Sequence, residues 1–177
     1  MLSRLFGRSR DQETAAHLYS ALVERARAPV FYSVLGVADT VDGRFDMIAL
    51  HAFLVMHRLK DEKGMGNLSQ ALFDFMFGDM DRSLREMGVS DLGVGKRVKE
   101  MVTAFYGRVD AYQNGLAEGE AALAEALARN LYRGEPPAPQ RLAAMAAYVA
   151  ASSAALAAVG RDALVRGEVA FARLPAA

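Results

Sequence analysis

The chain has no cysteine, and that absence removes several chemistries at once. Disulfides, thiolate zinc sites, iron–sulfur ligation and cysteine nucleophiles are all excluded. An excess of charge is missing too, since 21 Lys and Arg stand against 21 Asp and Glu. A general nucleic-acid binder carries a basic excess, so no DNA partner is expected. The first residues, MLSRLFGRSR, are basic but lack the apolar core of a signal peptide, and no leader is expected. The longest uncharged run, residues 142–159, is dominated by Ala and Ser, with Leu142, Met145, Val149, Leu156 and Val159 as its strongly apolar members. Bilayer insertion rewards Leu, Ile, Phe and Val, so this run is expected to be a buried helix and not a membrane span.

Catalytic signatures are equally scarce. His51 and His57 are six residues apart and point from different helix faces, whereas a zinc-binding helix needs a spacing of four. Glu13 and His17 come nearest to a Glu-x-x-His pair but are one residue too far apart. GVGKR at 93–97 looks like the end of a phosphate loop, but Ser90 stands where its first glycine belongs and Arg97 where Ser or Thr belongs. Asp79 and Asp81 lie about 200° apart round a helix, so with Asp74 they do not converge on a cation. No nucleophile has a recognisable base partner. The histidines are therefore read as structural, with no cofactor and no metal expected.

What the chain does have is apolar content: 53% hydrophobic residues and a mean hydropathy of +0.08. Those values require an apolar interior, an apolar interface, or both. At 177 residues, one domain is the natural size. Every strong period is helical and no pair of alternating strands occurs, which predicts an all-α fold, a single-domain irregular helical bundle of about six or seven helices.

In order, the expected parts are a basic N-terminal arm at 1–12, a helical domain at 13–160 and a C-terminal tail at 161–177. Arg4, Arg8 and Arg10 give the arm its charge. Helix is expected at 13–27 and, after Pro29, at 30–35, and Asp42-Gly43 marks a turn at 39–43. Residues 45–59 are apolar nearly all round and belong at the centre of the bundle. Two further helices are expected at 116–132 and 140–159, joined by a stiff linker containing Pro136, Pro137 and Pro139.

The most specific stretch is 68–110, an acidic, aromatic-rich helix followed by a helix with a basic start. Leu68, Leu72, Phe75, Met76, Leu84 and Met87 form one apolar face, and Gly88 a left-handed cap. Asp81 with Arg85 and Arg82 with Glu86 have the spacing of ion pairs. Phe73, Phe77 and Met80 add a second apolar stripe, wider than one packing face requires. It is readable either as core or as an interaction surface. Asp74, Asp79 and Asp81 on the first helix, with Lys96, Arg97 and Lys99 opening the second, complete a partner-binding candidate set that also takes in Tyr106.

The words LGV-x-DT-x-DGRFD (35–46), LFD-x-MF-x-DMD-x-x-LREMGV-x-DL-x-VGKRVK (72–99) and AFYGR (104–108) resemble those of the ubiquinol–cytochrome c chaperone family. The likeness is strong from Tyr32 to Tyr112 and loose in the alanine-rich remainder. With no targeting peptide, the chain is similar to the family's bacterial branch. The resemblance implies an assembly chaperone for the cytochrome bc1 complex (respiratory complex III) that binds newly made cytochrome b, the membrane subunit. It further implies possible partners at the ribosome exit or in a small partner protein, and a cytoplasmic location with peripheral contact at the inner membrane. In that role Phe73, Phe77 and Met80 would touch the client, the aspartates would pair with its basic loops, and Lys96, Arg97 and Lys99 would reach acidic groups, ribosomal RNA or lipid phosphates. The competing reading is a helical protein that binds a small molecule or cofactor such as haem or quinone, motivated by His51, His57 and nine methionines.

Overall fold

The computed structural model describes residues 2–174, with side chains from Arg10 onward. The described residues form eight helices and no strand: α1 (Leu2–Ala26), α2 (Val30–Ser33), α3 (Val41–Lys60), α4 (Gly66–Glu86), α5 (Asp91–Glu118), α6 (Glu120–Asn130), α7 (Pro139–Ala157) and α8 (Arg161–Val165). Six are long and two are single turns, the all-α bundle that the helical periods require.

The bundle is built round α3. Its residues Phe45 to Val55 are all buried, because an apolar surface on every side leaves no face for water. α1, α4, α5 and α7 all pack on it. Leu50 and Leu54 are 0% and 1% exposed. Each such side chain contributes about 1.5–3 kcal/mol by leaving water. Further out, α1 lies on α4, and α5, α6 and α7 pack in succession. On α7 the helical stripe Leu142, Met145, Val149, Ser152 and Leu156 is buried except at Leu142, which is half-buried.

Several boundaries depart from expectation, each for a physical reason. The helix expected from residue 13 begins at Leu2, so the backbone of the basic arm continues into α1; the side chains of Arg4 and Arg8 lie outside the described residues. Asp42-Gly43 is not a turn but the first turn of α3. Thr40 caps that helix by accepting a hydrogen bond from the Gly43 N–H at 3.1 Å. Gly43 is there for closeness: a Cβ on it would sit 2.0 Å from the Ala38 carbonyl oxygen. The helix expected from residue 116 begins instead at Glu120, after Gly119 (φ 109°), so Leu116 belongs to α5 and not to α6. The tail is one short helix, α8, followed by extended chain.

At the α4–α5 corner, Gly88 takes the left-handed conformation (φ 82°). The Val89 N–H bonds back to the Leu84 carbonyl and the Gly88 N–H to that of Arg85, a full Schellman cap. The apolar face of α4 is narrower than its sequence suggests. Leu68, Leu72, Met76 and Leu84 are buried, but Phe75 and Met87 are 40% and 53% exposed. Arg82 and Glu86, both exposed, form no ion pair, since Arg85 takes the acids at this corner.

Candidate functional site: an aromatic cleft between α3, α4 and α5

Between the C-terminal half of α3, the start of α4 and the middle of α5 lies an open cleft of about 500 Å³. Phe53 and Phe105, buried in the core, form its floor. Its walls are Phe73 from α4 and Tyr106 from α5, with ring centroids 5.7 Å apart. Phe73 also packs on Phe77 at 4.6 Å and on Phe105 at 6.0 Å, an aromatic row that holds α4 against α5. Tyr106 stays 55% exposed.

The rim is charged and partly locked. At the α3–α4 turn, Glu62 accepts hydrogen bonds from Arg58 at 2.9 Å and Arg161 at 3.4 Å. Arg58, with Arg161 adding to it, holds the Glu62 carboxyl below its ordinary range. Arg58 also donates to the Leu156 and Val159 carbonyls, tying the end of α3 to the chain that leaves α7. With Glu62 neutralised, Lys60 and Lys63 leave the rim net positive, and His57 faces the same opening.

The sequence-predicted partner residues separate into four groups. Phe73 and Tyr106 meet at the cleft. Phe77 and Met80 are 7% and 8% exposed, so their apolar area is taken up by the core, not by a surface. Of the acids, only Asp74 is fully on the outside, where it accepts from Gln70. Asp79 accepts from the Tyr19 hydroxyl at 2.8 Å and ties α4 to α1; burial first, then Asp79, raises the Tyr19 pKa. Asp81 accepts from Arg85 at 2.6 Å, and the same guanidinium reaches Asp91, binding the two sides of the α4–α5 corner. Lys96, Arg97 and Lys99 stand exposed on α5, where Lys96 has only Glu100 near it, at 4.0 Å. The aspartates and these cations do not pair across the helices.

His51 has both ring nitrogens engaged. Nδ1–H donates to the Met47 carbonyl at 2.8 Å, so Nε2 must accept from the Tyr148 hydroxyl at 2.9 Å. Burial lowers its pKa to about 4. It sits at the core's aromatic centre, with Phe31 at 5.5 Å and Phe171 of the C-terminal tail at 5.2 Å. That packing leaves His51 no free nitrogen for a haem iron. No group of three or more metal-ligating residues occurs among the described residues.

Sequence reasoning missed the buried ionic centre. Asp46, with its side chain 0% exposed, accepts from Arg108 and from Arg133, each at 2.7 Å. Arg133 is held in the left-handed conformation (φ 54°) and also reaches Asp42 at 3.2 Å. One signal was available: Asp46 and Arg108 each end one of the quoted words, LGVADTVDGRFD and AFYGR.

The described chain is thus a single-domain all-α bundle with an aromatic, cationic-rimmed cleft. Residues 33–171 match the family described as Ubiquinol-cytochrome C chaperone, and the chain belongs to that family. The frog (Xenopus laevis) "Ubiquinol-cytochrome-c reductase complex assembly factor 1" is 27% identical over 157 residues, covering 88% of this chain and 78% of the frog protein. The human assembly factor 1 is 27% identical over 159 residues, 89% of this chain but only 53% of its own length, so the chain spans about half of that relative. The crystal structure of the Cbp3 homolog from Brucella abortus superposes with a TM-score of 0.84 at 37% identity, covering 98% of this chain and 97% of that one. No helix among the described residues is long and apolar enough to cross a membrane.

Proposed function

We propose that this protein is a non-enzymatic assembly chaperone for the ubiquinol–cytochrome c reductase complex, with newly made cytochrome b as its client. The family match over 33–171 carries the reading, and relatives bearing the assembly-factor name support it. The cleft supplies a physical means. An apolar client segment loses water against Phe73, Tyr106 and the floor beneath them, while Lys60 and Lys63 set its register. Such a chaperone works from the cytoplasmic face of the inner membrane, where the client's segments are first exposed.

Affinity capture from the native host tests this. Tagged protein is expected to co-purify cytochrome b from early assembly states and to lose it from the mature complex. Tyr106→Ser is expected to weaken capture while leaving the fold intact. Stoichiometric recovery of the mature complex, or no cytochrome b at any stage, would sink the reading.

A further inference from the structure

The corner between α4 and α5 exposes apolar side chains that the cleft does not use. Leu92, one residue into α5, is 92% exposed, and Met87, at the end of α4, is 53% exposed. A leucine that bare has almost no protein round it, so it projects from a convex tip instead of lining a groove. The Schellman cap and the Arg85 bridge to Asp81 and Asp91 make this tip rigid.

Directly behind it stand Lys96, Arg97 and Lys99, all exposed. At 100° per residue, Leu92, Lys96 and Lys99 fall within roughly 60° of one another on α5, and Arg97 stands roughly 100° further round from Lys96. The nearby acids weaken but do not cancel this charge. Asp81 and Asp91 are held by Arg85, and Glu100 lies 4.0 Å from Lys96. Glu86 is exposed and opposes the cluster.

We propose that the α4–α5 corner is a membrane-contact site: Leu92 and Met87 enter the acyl boundary of a bilayer while Lys96, Arg97 and Lys99 pair with anionic lipid phosphates. An apolar tip with a cationic collar suits an interface that is apolar below and anionic above. Nucleic acid would match the cations but leave Leu92 and Met87 in water. A protein groove would cover the tip but gives no reason for three cations behind it. The same α5 face carries Tyr106, about 21 Å along the helix axis from Leu92. A corner seated on the bilayer therefore keeps the cleft within reach of the membrane surface. The proposal does not depend on the identity of the client.

The test uses the whole chain and vesicles alone. The sequence has no tryptophan, so Leu92→Trp introduces a single indole at the tip. Its emission is expected to shift to the blue with vesicles of phosphatidylcholine containing roughly a third phosphatidylglycerol, and to stay unchanged with phosphatidylcholine alone. Replacing Lys96, Arg97 and Lys99 by Gln is expected to lower partitioning roughly a hundredfold, at about fivefold per basic residue. Raised salt is expected to act in the same direction. Leu92→Ser with Met87→Ser is expected to weaken partitioning at unchanged circular dichroism. No blue shift on anionic vesicles at low salt would overturn the proposal, as would wild-type partitioning by the triple Gln variant. So would variants that bind vesicles normally but lose cytochrome b in detergent extracts, because the corner would then be a protein-docking surface.

Discussion

Asp46 and Arg108 meet in the interior at 2.7 Å, the carboxylate fully buried and the guanidinium almost so. The pair joins α3 to α5, and Arg133 brings the α6–α7 connection to the same carboxylate. Burial pushes the Asp46 carboxyl above its ordinary range, and the two guanidiniums pull it back. The Arg108 Nε and the Tyr112 hydroxyl one turn further on have no hydrogen-bond partner. Removing one member of a buried pair strands the other, at a cost of about 3–5 kcal/mol. Asp46→Ala is therefore expected to lose that much in urea unfolding, while Asp39→Ala, whose exposed pair with Arg44 is on the surface, changes little.

His51 sets a pH dependence. Its folded pKa is about 4 against an ordinary 6.5, because burial disfavours the imidazolium. The unfolded ring takes up a proton as pH falls through about 6.5, and the folded ring only near 4. Stability from this group is thus complete above about pH 6.5 and is lost progressively down to about pH 4, by about 3 kcal/mol in all. Melting curves across this range are expected to show the loss in the wild type and a flatter profile in His51→Gln. Equal slopes would mean that the buried ring is not the source.

Leu54 measures how central α3 is. It is 1% exposed, so truncation to Ala leaves a cavity and is expected to cost roughly 2–5 kcal/mol. A loss under about 0.5 kcal/mol in chemical denaturation would place the helix at the periphery.

Lys96 and Arg97 are expected to behave oppositely. Both are exposed, and neither holds an acid across the helices. Reversing both to Glu is expected to leave the melting temperature unchanged and to weaken binding to anionic vesicles most at low salt, where screening is least. Unfolding of the variant would reveal a structural pairing instead.

How far the sequence led can be judged from these residues. The α3 core was legible because an all-round apolar helix has one place to go, and the Gly88 cap because few residues accept its conformation. Phe77 and Met80 were ambiguous. Residue spacing places side chains on a helix face but does not reveal how wide a neighbouring helix covers it, and α5 covers more of α4 than a single stripe. The same geometry exposes Phe75 and Met87. The cleft was half legible: Phe73 and Tyr106 stood among the candidates, but the rim also needs Arg161, which reaches Glu62 from 99 residues away in sequence. The Asp46 network was hidden for the same reason, since a lone aspartate in an apolar helix does not name its distant arginines.

The central claim is that the chain serves assembly of the ubiquinol–cytochrome c reductase complex through its cleft. The most direct measurement is the reduced-minus-oxidised spectrum of cytochrome b in host membranes after deletion of the gene, with transcripts of the complex quantified in parallel. The account predicts loss of the assembled complex at unchanged transcript level, restoration by the wild-type gene, and poor restoration by Tyr106→Ser made to normal protein levels. A normal spectrum and normal ubiquinol oxidation in the deletion strain would contradict it.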